Sequence, residues 1–325
     1  MNRLASFHDV TALMQILERE YGLQVLNMTL HRNMGGVVYF VKADTFFVFK
    51  IFRHENTENA LQSIQILQFL QESDYPAVRI LPTQNGEAQV ILQRPEGECV
   101  GVLYPFLEGE EMEGIYFENT GGTGDTDPRT PALGEQIGLL HKIMLSEKAP
   151  RLIHRGKEFY IDRFIHLLER DGYDAARIQD FAEYGTALWS KLAPLPQGFC
   201  HGDLHTGNMI LNQQGFVLFD LDISSSAFPV IDVATLCDET HFNQFDEAGY
   251  DKTRIAFDAF YQGYSRVRTL SDAEIRGIFD FIPIRHFELF ATILFTHKQK
   301  IRPAGIDEQY DWMLRWQELG AKKHL

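Results

Sequence analysis

The sequence predicts an α+β chain in two parts, a sheet-rich N-terminal third and a mainly helical remainder. Short runs rich in β-branched and aromatic residues crowd positions 25–106, whereas from residue 132 onward apolar residues recur at helical spacing. The length sets the scale. A chain of 325 residues exceeds one simple core and fits two lobes, placed at 1–106 and 107–325.

Residues 9–21 read as a first helix, with Leu13, Ile16 and Leu17 on one side. Strands follow at 25–30, 37–43 and 45–52, separated by Gly35-Gly36 and Ala43-Asp44. A helix at 58–70 presents Leu61, Ile64 and Leu67, and strands at 78–81, 87–92 and 100–106 complete an antiparallel sheet. Segment 108–131 is polar and rich in Gly and Pro, which predicts an exposed loop. Its GGTGD lacks the GK[ST] ending of a phosphate loop.

Beyond it, helices are expected at 132–144, 160–169, 175–191, 252–264, 271–296 and 308–319. Ser271 and Glu274 have capping-box spacing, and Pro283 predicts a kink or a break. Trp312 and Trp316, four apart, read as core packing. The strand signals of this half flank one turn, at 209–211 and 216–219.

Composition narrows the function classes. Hydrophobic residues at 45% and charged residues at 23% are those of a globular chain rather than a disordered one. A formal net charge of -15 argues against nucleic acid or an anionic membrane as partner. Cys99, Cys200 and Cys237 are too far apart for a zinc or disulfide framework and read as buried reduced thiols. The N-terminal residues lack an apolar signal core, and no run reaches the roughly 18 residues of a membrane span, so a cytoplasmic location is expected.

The chemistry concentrates in HGDLHTGNMI, His201 to Ile210, followed by FDLD, Phe219 to Asp222. Asp203 can orient and deprotonate a hydroxyl, while Asn208 and Asp220 offer oxygen ligands to a hard cation such as Mg2+ beside a triphosphate. His201, Asp203 and His205 alternate as metal ligands can. A zinc hydrolase would need further converging ligands, however, and Asn208 suits zinc poorly. Ser224, Ser225 and Ser226 lie outside any G-x-S-x-G context.

These motifs, with IDVATL after them, resemble the aminoglycoside phosphotransferase family, which includes choline-kinase-like and homoserine-kinase-like enzymes and shares the two-lobe protein kinase fold. The resemblance implies ATP-dependent transfer of the γ-phosphoryl group to a small-molecule hydroxyl. It makes Asp203 the catalytic aspartate, Asn208 and Asp220 the Mg2+ ligands, His201 a loop-shaping residue and Asp232 the buried support beneath the loop. His205 falls where the family often carries a histidine or arginine, and His141 on a helix that runs beneath the active site.

In the first lobe it implies that Lys50 of VFKIF grips phosphate oxygens and that Gly35 and Gly36 cover the triphosphate. Leu103, Tyr104 and Phe106 take the adenine. Ser63 stands where the family's lysine-pairing glutamate is expected, so either Glu58 on a shifted helix pairs with Lys50 or Lys50 lacks its usual partner. Asp222 reads as solvent-facing or as a contact to the metal's outer shell, and Asp238 and Glu239 as candidates for an acidic acceptor pocket. The competing class is a kinase-shaped, non-catalytic binding or structural protein of spore-coat type. The missing glutamate favours it, and intact Asp203, Asn208 and Asp220 oppose it. The oligomeric state is not legible.

Overall fold

The structure is a computed structural model that describes residues 2–3, 6–7, 9–118, 124–297 and 302–323. It divides into two compact units. One comprises 1–111, 149–151 and 208–223, and the other 112–148, 152–207 and 224–325. The division departs from the expected one at a telling place. The hairpin carrying Asn208 and Asp220 clusters with the sheet unit, because its strands bond to that unit's own backbone.

The sheet unit opens with β1 (Asn2–Arg3) and α1 (Val10–Tyr21), the latter capped by the Asp9 carboxylate on the Ala12 N–H. Then come β2 (Asn27–Met34), β3 (Gly36–Lys42), β4 (Phe46–Phe52), α2 (Thr57–Glu72), β5 (Val90–Arg94) and β6 (Gly97–Pro105). They form one sheet in the order β1-β5-β6-β4-β3-β2. β1, a strand with no sequence signal, pairs parallel with β5, while the other neighbours in this sheet pair antiparallel.

Segment 78–81, expected as a strand, contributes an isolated bridge at Leu81 instead. Because side chains alternate across a strand, one face of the sheet carries Val37, Tyr39, Phe49, Ile51 and Leu103 onto α1 residues Leu13, Ile16 and Leu17. The other face carries Val38, Phe40, Val48, Lys50, Val102 and Tyr104, which are linked in register across β3, β4 and β6.

In the helical unit, β7 (Tyr116–Glu118) and β8 (Gly124–Thr126) pair inside the segment expected to be a loop, of which 119–123 lie outside the described residues. Next are α3 (Thr130–Ile143), a π turn at Glu158–Asp162, α4 (Arg163–Asp171), α5 (Ala175–Leu192) and β9 (Gly198–Cys200). The hairpin β10 (Met209–Asn212) and β11 (Gly215–Leu218) returns the chain to the sheet unit. There it is joined by Val78 N–H to the Leu218 carbonyl at 2.8 Å and Glu110 N–H to the Leu211 carbonyl at 2.8 Å.

The helical unit resumes with β12 (Ser225–Ala227), which pairs with β9, and then α6 (Val230–Cys237), α7 (Ala248–Tyr264), α8 (Asp272–His297) and α9 (Pro303–Lys322). The sequence reading missed α6. All eight of its residues are buried, so it carries no amphipathic stripe to read.

Two packing details position the site. Gly134 and Gly263 let α3 and α7 cross backbone against backbone: a Cβ on Gly263 would fall 1.6 Å from the Pro131 carbonyl oxygen, and one on Gly134 2.0 Å from that of Phe260. The α8 helix runs through Pro283 as one helix. Proline removes the N–H that would bond the Phe279 carbonyl, and the Trp316 indole N–H from α9 takes that acceptor at 3.0 Å.

Candidate active site

The loop after β9 is built on a buried carboxylate. Asp232, fully buried on the first turn of α6, accepts the His201 N–H at 2.7 Å and the Gly202 N–H at 2.9 Å. His141 of α3 sets its Nε2 3.1 Å from the same carboxylate, and its Nδ1 lies 2.8 Å from the Tyr264 hydroxyl. Arg268 can only donate, and its Nη1 lies 2.7 Å from the Tyr264 oxygen. The Asp232 carboxylate can only accept, so the His141 Nε2–H points to it. The network fixes the backbone on either side of Gly202, whose φ of 87° is left-handed and suits glycine. Asp203 follows directly.

Asp203 faces Arg285 of α8, whose Nη2 stands 3.3 Å from Oδ1, and His205, whose Nε2 stands 3.6 Å from Oδ2. Burial alone would raise this carboxyl. The His205 ring and the Arg285 charge outweigh it and bring the pKa down to about 2. Arg285 also donates to Thr235 Oγ1 at 3.3 Å. The sequence reading missed this arginine, although an isolated guanidinium inside the apolar run FDFIPIRHFELF is the signal that marks it. Just past α6, Asp238 and Glu239 are half-buried. Burial raises both pKa values, that of Glu239 to about 7.

In the sheet unit, Lys50 is buried mid-strand, and its ammonium is shared by Asp220 Oδ1 and Asp222 Oδ2 at 2.6 Å each. Burial opposes its charge, but the Asp222 and Asp220 carboxylates outweigh that and hold its pKa above the ordinary lysine value. Two expectations are corrected here. The anionic partners of Lys50 come from the chain after β11 rather than from a shifted α2, on which Glu58 is exposed and Ser63 buried. Asp222, read from sequence as mainly solvent-facing, is a lysine partner, pushed up to about 6 by burial and by the charge of Asp220 against the pull of Lys50. Asp220 itself sits at φ 62°, a left-handed conformation uncommon outside glycine.

Gly35 and Gly36 form the β2–β3 turn. The Gly35 carbonyl accepts from Asn56 at 3.0 Å, and Asn33 Oδ1 accepts from Arg53 at 2.6 Å. Open space surrounds Gly35, where a Cβ would meet nothing within 4 Å. Tyr104 lies on the Lys50 face of the sheet, and half-exposed Phe106 packs its ring edge-on to Phe40 at 5.7 Å. Leu103 does not join them. Its side chain lies in the opposite core and its carbonyl accepts the Leu81 N–H at 2.9 Å.

The donor set fits a hard divalent cation. Asp220 and Asp222 converge tightly enough to share one ammonium, and Phe219 N–H bonds the Asn208 carbonyl at 3.1 Å, holding the two ends of the hairpin together. Among the described residues no group of three His, Cys, Asp or Glu forms a metal cluster. Asp220 and Asp222 are the two carboxylates the structure brings together for such an ion. No described helix is long and apolar enough to cross a membrane.

The helical unit carries a carboxylate on a clamped loop, and the sheet unit a buried lysine paired to two aspartates at the end of a hairpin. Residues 34–270 match the model of the phosphotransferase enzyme family, and the chain belongs to that family. It is an ATP-dependent phosphotransferase with a small-molecule hydroxyl as acceptor.

An uncharacterized protein of Deinococcus radiodurans is 27% identical over 289 residues, covering 85% of this chain and 79% of the relative. A solved amicoumacin kinase, in complex with AMP-PNP, Ca2+ and Ami, superposes with a TM-score of 0.71 at 19% identity over 97% of this chain and 94% of its own. A microcompartment-associated aminopropanol kinase gives 0.72 at 15% identity over 97% and 98%. The choline kinase of Cryptosporidium parvum gives 0.64 at 14% identity over 97% of each. These likenesses bear out the kinase-like fold.

Proposed function

We propose that this chain moves the γ-phosphoryl group of Mg-ATP to the hydroxyl of a small, amine-bearing alcohol in the cytoplasm, with Asp203 as the catalytic residue. The carrying observation is the Lys50 ammonium held by Asp220 and Asp222 at 2.6 Å each, a charge arrangement matched to a metal-bound polyphosphate. Lys50 grips phosphate oxygens, Gly35 and Gly36 let backbone N–H groups approach them, and Tyr104 and Phe106 border the adenine. Asn208 and Asp220, with Asp222 beside them, would hold Mg2+, which when bound neutralises phosphate charge. Three buried free cysteines suit a reducing compartment.

The acceptor oxygen forms a bond to the γ-phosphorus as the β–γ bridging bond breaks, and that bond's electron pair leaves with ADP. The acceptor proton passes to Asp203. With a pKa near 2 this carboxylate is a weak base, so it takes the proton late and contributes chiefly by aligning the oxygen. Half-buried Asp238 and Glu239 support an amine on the acceptor. So do neighbours of this fold named as aminopropanol and choline kinases. The missing helix glutamate no longer favours a non-catalytic reading, since Lys50 has two other partners.

ADP production over a panel of amino alcohols, aminoglycosides and homoserine tests the reading. Asp203→Ala is expected to abolish turnover and spare Mg-ATP affinity. Asp220→Ala is expected to weaken Mg-ATP. Full turnover by the first variant, or unchanged Mg-ATP affinity in the second, overturns the corresponding assignment.

A further inference from the structure

Arg32 plays no part in the site described so far, yet the sheet aims it there. Its Nη2 donates to Asp220 Oδ2 at 3.0 Å, on the carboxylate whose other oxygen holds Lys50. The strand register explains how. Leu30 pairs with Tyr39, so regular pairing would set His31 opposite Val38. A bulge after Leu30 sets Arg32 there instead. Val38 is in register with Lys50, and Lys50 with Val102. Side chains in register across a sheet project from one face. Arg32 and Lys50 therefore stand in one row, two strands apart, and both reach Asp220. Bulges commonly re-aim a side chain beside a functional site. Here one inserted residue sets a guanidinium opposite Val38, while the His31 ring stays beside it against Phe40, with centroids 4.4 Å apart.

We propose that Arg32 is a phosphate-binding residue that neutralises Asp220 until a divalent cation takes that carboxylate, and then grips the β- or γ-phosphate of the nucleotide. The inference rests on the nucleotide site proposed above. Arg32 is half-exposed, at 48% of its side chain, so its ion pair is solvent-screened and readily displaced. The guanidinium fork matches two phosphate oxygens at once, which a lysine cannot do. Its position one residue before Asn33, at the entrance to the Gly35-Gly36 turn, puts it on the strand that leads into the phosphate-covering loop.

The test compares wild type with Arg32→Gln by calorimetric and thermal-shift titration, using Mg-ATP, AMP without metal, and Mg2+ alone. Arg32→Gln is expected to weaken Mg-ATP about ten- to hundredfold, the worth of a charge-assisted hydrogen bond, with AMP unchanged within twofold. Mg2+ alone is expected to raise the melting temperature of the variant more than that of wild type, since no guanidinium competes for Asp220. Arg32→Lys, which keeps charge without the fork, is expected to lie between.

Mg-ATP binding within twofold of wild type overturns the proposal, as does equal weakening of AMP, which marks a structural role. A Mg2+ shift in the variant no larger than wild type's overturns the competition for Asp220. If wild type itself fails to bind Mg-ATP, the nucleotide site falls, and this proposal with it.

Discussion

Replacing Asp232 with asparagine removes one acceptor and keeps the volume. The carboxylate accepts from His201 N–H and His141 Nε2–H on Oδ2, and from Gly202 N–H on Oδ1. An amide has one oxygen, so either orientation sets an NH2 group against a donor. The cheaper one faces Gly202, whose orphaned N–H costs about 1–3 kcal/mol. The two surviving bonds lose charge assistance, about 1 kcal/mol each. The expected local destabilisation is about 3–5 kcal/mol, the range found when a buried ionic network loses a member.

Hydrogen exchange measured on peptides spanning 198–206 reads this directly. Protection should fall more than a hundredfold, since about 1.4 kcal/mol corresponds to a factor of ten. Urea unfolding of the same variant reports the global share. Exchange within threefold of wild type would refute the view that Asp232 holds the loop, and with it the account of how Asp203 is positioned.

Three further outcomes follow from named contacts. His286, buried against Trp312 with Nδ1 2.9 Å from Gln309, has its pKa lowered to about 4, chiefly by burial. The unfolded chain binds that proton from about pH 6.5 downward, so stability should fall between pH 6.5 and 4 by about 3 kcal/mol, and His286→Gln should remove that part of the slope. Trp316→Phe should cost about 1–3 kcal/mol by orphaning the Phe279 carbonyl. It should cost less in a Pro283→Ala background, where the helix supplies its own N–H; equal costs in the two backgrounds would show no coupling. Asp203, lowered to about 2, favours the folded state above about pH 4 and loses that advantage as pH falls towards 2. Arg285→Met should make that acid loss shallower, and an unchanged acid limb would place the guanidinium's effect elsewhere.

The sequence disclosed most of what local patterning encodes. The strands of the first unit show as short runs of β-branched and aromatic residues, the amphipathic helices stand out, and HGDLHTGNMI with FDLD marks the loop and hairpin directly. What escaped depends on side chains brought together from far apart. Asp222 as a partner of Lys50, Arg285 beside Asp203 and Arg32 beside Asp220 join residues 172, 82 and 188 positions apart. No periodicity encodes such pairs, and the Arg32 pair also needs a bulge that shifts alternation by one residue. The α6 helix hid for another reason, being buried all round and so carrying no polar face to set off an apolar one. The pairing glutamate was sought by family habit on α2, whereas charge balance around Lys50 is met by a different element.

The Gly134–Gly263 crossing has a consequence for tolerance to change. Backbones that already touch leave no slack for even one methyl group, so an alanine at 263 must push the two helices apart rather than fill a gap. Tyr264 is the next residue, and its hydroxyl is 2.8 Å from His141 on the opposing helix. Any widening is levered straight into the relay that ends at Asp203. A substitution that meets neither nucleotide nor acceptor would thus read out as lost catalysis, and variants screened for activity alone would misplace the active site on this seam.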